Sequence, residues 1–300
     1  MTKSLMDIKP LPLSFTQGFL SDRDLLARLL RFVAKNDRDN KEAIGSKEAI
    51  STATNIPTGK YTGKVEPMIR YAEGMGLVKA EKTAGEWHLT LTPLGRLISK
   101  QDAALSESVT LWLLHLLMSR RCGLTIPATG VADPWFVLFG EGAFRLGKRF
   151  TQADYLAVLR ERHGNAAYLK GLSNLVLRGY SEPRAWGGII ALQTETSDKE
   201  TIFIRQVAPC ESAYFPAYAI YLYLLWDELF PKRLQLAFDE FSEQTRFLSL
   251  TGWENVQVAI WLDWLANHRI VQLDRHTGTP ILLRLHATEQ VLATLYDELI

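Results

Sequence analysis

The chain has 300 residues, 47% hydrophobic and 22% charged, so it can bury real cores and long disordered stretches are excluded. A net charge of +1 rules out a uniformly basic nucleic-acid coat, and two cysteines, Cys122 and Cys210, rule out a disulfide framework and fit a reducing compartment. The charge is unevenly spread: residues 1–100 carry 16 Lys+Arg against 11 Asp+Glu, residues 101–210 carry 12 against 10, and residues 211–300 carry 6 against 12.

A phosphate backbone is therefore expected at the first third, and protein partners at the acidic last third. Residues 1–20 hold no long apolar run behind a basic start, so no signal peptide is expected. The most apolar stretch, 213–226, falls short of the ~20 residues that span a bilayer and contains Pro216. The expectation is a soluble, cytoplasmic protein without a membrane anchor.

Pro10 and Pro12 make residues 1–20 read as extended. Ser21 is the expected cap of a helix over 22–34, with Asp22 and Asp24 at its positive end. Leu25, Leu26, Leu29, Leu30 and Val33 form its buried stripe. A polar turn over 36–40 follows. A short helix begins at Ser46, and another covers 62–75, with Pro67 tolerated only near its start. Strands are expected over 77–80 and 87–92, the second alternating Trp87, Leu89 and Leu91 on one face.

Residues 110–121 read as a central helix that is apolar all round. Helices are then expected over 132–146, from Thr151 and over 165–177; Thr151 and Asp154 have the spacing of a capping box. A hairpin pairs 188–193 with 201–207. The last third reads as helices over 217–230, 232–241 and 255–267, strands over 270–273 and 280–285, and a closing helix over 287–299. The helix–hairpin order of the first third recurs in the last and, more weakly, in the middle. The fold class is thus mainly α with small β-hairpins (α+β). It comprises tandem winged-helix domains at 13–100 and 211–300 around a helical middle domain at 101–210.

In a winged helix, the start of the third helix meets nucleic acid through its dipole, its free N–H groups and nearby cations. That places Thr58, Lys60, Tyr61, Thr62, Lys64 and Arg70 as candidate nucleic-acid contacts, with Lys79 and Lys82 near the hairpin tip. The bland alternative is a solvated turn on a protein-contact module. The Gly-Lys pairs Gly59-Lys60 and Gly63-Lys64 lack the spacing of a nucleotide P-loop.

The histidines are scattered, and none has metal-ligand spacing with a cysteine or carboxylate; His115 reads as a core histidine. No carboxylate pattern marks a nuclease centre. Asp22 and Asp24 suit a helix start, Asp37 and Asp39 a polar turn, and Glu195, Asp198 and Glu200 a hairpin tip. The aromatic run Tyr214, Phe215, Tyr218, Tyr221, Tyr223 and Trp226 suits a core or subunit interface better than base stacking.

Several segments resemble a bacterial family of unknown-function domains found in DNA phosphorothioation and phage-defence loci, which includes the SspB component of single-strand phosphorothioation systems. They are Gly63-Lys64, Ile69-Arg70-Tyr71, Gly76-Leu77-Val78, Thr92-Pro93-Leu94-Gly95-Arg96-Leu97-Ile98 and Thr110-Leu111-Trp112-Leu113-Leu114-His115. The likeness covers residues 13–165. It departs at Leu13-Ser14-Phe15-Thr16-Gln17-Gly18-Phe19, where the family carries a His and a Glu, and at Pro67.

The resemblance implies a DNA-acting partner of a sulfur-transfer enzyme and an ATPase, with strand nicking as its activity. No cofactor is evident, and nicking would call for Mg²⁺ or Mn²⁺. A homodimer through the C-terminal third is expected. A non-catalytic adaptor that docks partner enzymes, and a transcriptional regulator, remain the alternatives.

Overall fold

The computed structural model describes residues 9–37, 41–196, 200–276 and 278–299. Asp39 and Asp198 of the candidate motifs lie outside the described residues. The start of the chain is not extended throughout: residues 13–18 form consecutive turns. Phe15 anchors them, its ring 5.1 Å from that of Tyr71 and 5.9 Å from that of Trp135.

Helix α1 spans Arg23–Asp37 and continues through the expected polar turn at Asn36 and Asp37. Its start is held by Asp22 rather than Ser21. The Asp22 carboxylate accepts the Asp24 and Leu25 backbone N–H groups, while Ser21 is buried. Strand β1 (Ala43–Gly45) leads to α2 (Lys47–Thr54), capped by the Ser46 hydroxyl as expected. Helix α3 (Val65–Gly74) starts three residues later than its expected boundary, which puts Pro67 in its first turn. Strands β2 (Val78–Thr83) and β3 (Glu86–Leu91) turn through Ala84 and Gly85, both at positive φ, as a two-residue hairpin requires.

Helix α4 (Pro93–Gln101) is capped by the Thr92 hydroxyl, which accepts the Gly95 N–H at 2.9 Å and donates to the Gly76 carbonyl at 2.6 Å. Next come α5 (Ser108–Met118) and a segment expected as one helix over 132–146. That segment is broken into α6 (Asp133–Trp135), a π-turn over Phe136–Gly140, and α7 (Gly142–Arg145). The Phe136 side chain presses against Gly130 and Gly140, where a Cβ would stand 2.1 and 2.6 Å from it. A larger residue at either position would exclude this winding.

The middle third continues with β4 (Arg149–Thr151), α8 (Gln152–His163), α9 (Tyr168–Gly179), β5 (Leu192–Thr196) and β6 (Thr201–Arg205). Thr151 and Asp154 form the expected reciprocal capping box. Helix α10 (Phe215–Leu229) opens the last third, followed by β7 (Gln235–Ala237), α11 (Phe238–Thr245), α12 (Phe247–Thr251) and α13 (Asn255–Asn267). Strands β8 (Val271–Asp274) and β9 (Ile281–Arg284) and helix α14 (Thr288–Leu292) complete it.

The expected helix over 232–241 is overturned in its first half. Pro231 and Lys232, the latter at φ 71°, break the chain, and residues 235–237 pair with β9 instead. The closing helix is likewise shorter than 287–299: α14 gives way to turns and a 3₁₀ turn at Asp297–Leu299.

The three antiparallel sheets among the described residues share one strand order, β1-β3-β2, β4-β6-β5 and β7-β9-β8. In each, a three-residue strand and intervening helices precede a hairpin whose second strand takes the centre. The architecture is α+β, with one such sheet in each third.

Helices α5 and α10 pack together in the interior, apolar on every side. The run Leu111-Trp112-Leu113-Leu114-His115 is wholly buried there. Tyr218, Tyr221, Tyr223 and Trp226 are also buried within the chain, which excludes base stacking on them. The Arg120 guanidinium, fully buried, donates to the Gly74 carbonyl at 2.7 Å and lies 3.6 Å from the Glu228 carboxylate, joining the ends of α3 and α5 to α10. No helix among the described residues is long and apolar enough to cross a membrane.

Candidate nucleic-acid interface

The loop between α2 and α3 carries the first group of sequence candidates. Thr58 and Gly63 bridge, Gly59 N–H donates to Thr62 O at 2.7 Å, and Lys64 N–H to Pro57 O at 2.8 Å. This tight closure leaves Lys60, Tyr61 and Thr62 at an exposed tip, Tyr61 being 84% exposed. Lys60 Nζ stands 5.1 Å from the Tyr61 ring centroid, and Lys47 Nζ reaches the Gly59 and Lys60 carbonyls at 3.1 and 3.0 Å.

Helix α3 itself offers little surface for groove reading: Val65, Pro67, Met68, Ile69, Tyr71, Ala72 and Gly74 are all buried, and the helix packs against α1, α5 and β2. Arg70 lies on its partly open side and is ion-paired to Glu73 at 2.5 Å. Its guanidinium also stacks over Trp87 at 4.8 Å. Lys82 comes from the hairpin to the same indole, 5.3 Å from its centroid, and bonds Glu66 at 2.6 Å.

Burial opposes ionisation of Glu66, but the bond from Lys82 and further hydrogen bonds hold its carboxyl below the usual range. At Glu73 burial prevails over Arg70 and lifts the carboxyl above that range. Two of the eight candidate residues are thus satisfied inside a compact cluster of two cations and two carboxylates around Trp87. Lys79 remains exposed and makes no ion pair among the described residues.

A second, larger cationic surface was not singled out from the sequence. Arg28, Arg31 and Lys35 follow one another at helical spacing on α1, opposite its buried leucine stripe. Arg28 bonds Asp24 at 2.6 Å and the Asn55 carbonyl at 3.3 Å, whereas Arg31 spends only its Nε, on the Ala27 carbonyl at 3.2 Å. They line a cleft of about 860 Å³ toward Asn55, and Arg28 and Arg31 share a second, of about 680 Å³, with Arg23 and Arg184. Arg184 also lines a third cleft, of about 250 Å³, with Lys64 and Arg178.

The first two clefts share Arg28 and Arg31, and Arg184 stands between the second and the third, so this groove is a row of adjoining clefts along α1 and the loop after α9. The Arg23 N–H bonds the Arg184 carbonyl at 2.8 Å, tying the start of α1 to the loop after α9. Lys64 is the sequence candidate that this groove receives, held over the Phe19 ring at 6.0 Å. The α1 stripe was legible as the polar face of a helix with a clear apolar stripe. Arg178 and Arg184 were not, since they come from more than a hundred residues away.

The groove carboxylates do not form a cation cage. Asp24 is paired to Arg28, Asp22 accepts two backbone N–H groups, Glu182 lines the third cleft, and no group of three His, Cys, Asp or Glu side chains among the described residues could hold a metal ion. This donor set does not fit a metal ion held by the protein alone. The groove can bind phosphate oxygens by charge-assisted hydrogen bonds from its arginines.

His115 lies outside this surface. Its ring is enclosed by Trp112, Phe139, Tyr180 and Trp186, with Nδ1 2.8 Å from the Tyr180 hydroxyl. Burial pushes its pKa down to about 3. It is the core histidine the sequence suggested.

No protein-family model matches the sequence, and no curated protein matches it. Two crystal structures match its fold. An SspB crystal structure aligns with a TM-score of 0.69 at 14% identity, covering 98% of this chain and 89% of its own. A magnesium ion-bound SspB crystal structure aligns with a TM-score of 0.70 at 14% identity, covering 99% of this chain and 90% of its own. The chain therefore has the fold of these SspB structures along nearly its whole length.

Proposed function

We propose that the protein is a DNA-binding component of a bacterial DNA phosphorothioation and phage-defence system, acting in the cytoplasm beside sulfur-transfer and ATPase partners. The observation that carries this reading is the row of adjoining clefts lined by Lys35, Arg31, Arg28, Arg184, Lys64 and Arg178, on a chain with the SspB fold. Each third is read as a winged-helix unit, from its shared strand order and helix–hairpin arrangement.

In this reading backbone phosphates lie in the groove. Lys60, Tyr61 and Thr62 with Thr58 flank one end, and Lys79 is a peripheral contact. Arg70 and Lys82 shape the first unit rather than touch DNA. Strand nicking is the activity proposed for the whole, and it would call for Mg²⁺ or Mn²⁺.

Purified protein incubated with supercoiled plasmid, with and without either metal, tests this directly. Relaxation that co-purifies with the protein supports nicking. A gel shift without relaxation leaves DNA binding and removes nicking, and the absence of both sinks the proposal.

A second reading, a docking adaptor, is favoured by one observation. On α13 the exposed side carries Val256 and Ile260, 68% and 49% exposed, beside Asp263, and the last third is acidic. Pull-down of the sulfur-transfer enzyme and the ATPase by wild type but not by Val256→Lys/Ile260→Lys would support it. A homodimer through the same third would show as a mass in solution twice that of the chain.

A further inference from the structure

The cationic groove does not end at Arg178. Arg178 and Gly18 are shared with a further cavity of about 500 Å³ between the turns at 13–18 and the exposed side of α9. This volume lies within the roughly 300–1,000 Å³ of small-molecule pockets. Its chemistry differs from the rest of the groove. Leu13, Leu172 and Leu175 supply apolar wall, and Tyr168, 48% exposed, stands at the rim. Asn174 is exposed and its amide makes no hydrogen bond among the described residues.

Gly171 leaves the α9 side open, since a Cβ there would meet nothing within 4 Å. The opposite wall is pre-set. Phe15 is locked among Tyr71 and Trp135, and Phe15 N–H, Gln17 N–H and Phe19 N–H each close a turn onto the carbonyls of Pro12, Ser14 and Thr16.

We propose that this cavity receives an unpaired nucleobase of a DNA strand whose phosphates run along the α1 groove. The inference rests on the DNA-binding reading above and adds to it the state of the strand. An apolar slot with a phenol ring at its mouth suits the face of a base. The free Asn174 amide, both donor and acceptor, suits a base edge. Arg178, at the junction of cavity and groove, suits the phosphate that joins the two. A paired base inside a duplex could not reach the apolar wall, so the site takes a single-stranded or flipped-out nucleotide.

Fluorescence anisotropy with a short single-stranded oligodeoxynucleotide, and with the same strand made abasic at successive positions, tests this. Wild-type protein should bind the intact strand about tenfold more tightly than an abasic strand, the scale of one base–aromatic stack. Gly171→Leu, which fills the slot from an open helix position, should bind both strands equally with an unchanged salt slope. Asn174→Ala and Tyr168→Ala should narrow the difference, and they serve should the leucine variant fail to fold.

Equal binding of both strands by wild type overturns the inference while leaving DNA binding intact. So does a preserved difference in folded Gly171→Leu. Absence of any strand binding at low salt removes the DNA reading itself. Deoxyadenosine monophosphate should compete poorly, lacking the groove contacts. If it displaced the strand at equal concentration, the cavity would be a free-nucleotide site and the strand assignment would fall.

Discussion

Gly95, in the first turn of α4, lies so close to Leu77 that a Cβ on it would stand 2.0 Å from the Leu77 carbonyl oxygen. The same carbonyl accepts the Thr92 N–H at 3.1 Å. Thr92 and Gly95 therefore dock α4 onto the chain entering β2, one through its hydroxyl and the other by having no side chain. Replacing Gly95 with Ala forces the helix off that backbone. Such overpacking costs about 1–3 kcal/mol. The midpoint of urea unfolding of Gly95→Ala should fall accordingly, and an unchanged midpoint would show that α4 can shift freely.

The two cationic surfaces of the first third should respond differently to charge removal. Arg28→Ala/Arg31→Ala should weaken DNA binding and reduce the salt slope by about 0.9 for each duplex phosphate that the variant no longer neutralises. Arg70→Ala/Lys82→Ala should leave that slope in place and lower stability instead, because Glu66 and Glu73 would be left without their cations beside Trp87. Salt titrations by anisotropy read the first effect and thermal melts the second. A reduced slope in the second variant would return the interface to the hairpin.

His115 predicts a specific acid sensitivity. Its folded-state pKa, about 3, lies below the ordinary value of 6.5, so the unfolded chain binds the proton first as pH falls. The contribution of the neutral ring is fully present above 6.5, and stability drains away between 6.5 and 3 by at most about 1.4 kcal/mol per pH unit. His115→Phe removes this titration, though it also forfeits the Tyr180 hydrogen bond. The variant should show a flatter stability–pH curve across that window, measured by denaturant unfolding at several pH values. Equal slopes would mean that the ring is solvated or protonated in the fold.

Capping should be measurable at α8. Thr151 and Asp154 satisfy each other's backbone N–H groups, and Thr151→Ala removes the hydroxyl half of that exchange. The expected loss is about 1 kcal/mol. Because β4 ends at Thr151, hydrogen exchange should speed up first in β4 and the start of α8. Uniform exchange would argue against a local role.

The long amphipathic and all-apolar helices were legible in the sequence because each repeats its pattern over several turns. Helix α13 matched its expected span, and the buried face Trp87, Leu89 and Leu91 of β3 followed from simple alternation. Strands β1, β4 and β7 were missed. Three residues give no period to read, and each exists only because a distant central strand supplies its hydrogen bonds. For the candidate site, the charge excess of the first third coincides with the α1 clefts, but their arginines were not singled out from it. Composition cannot show that Arg70 and Lys82 pair with carboxylates, nor that Arg184 arrives from the middle third to line a cleft with α1.

The cluster around Trp87 makes surface charge in this fold a matter of a few carboxylates rather than of backbone. With Glu66 and Glu73 in place, the charges of Arg70 and Lys82 are paired. Exchange of these two acids for glutamines would unmask a second cationic face without moving a helix. Chains with this architecture can thus diverge in surface charge through substitutions that leave their shape untouched.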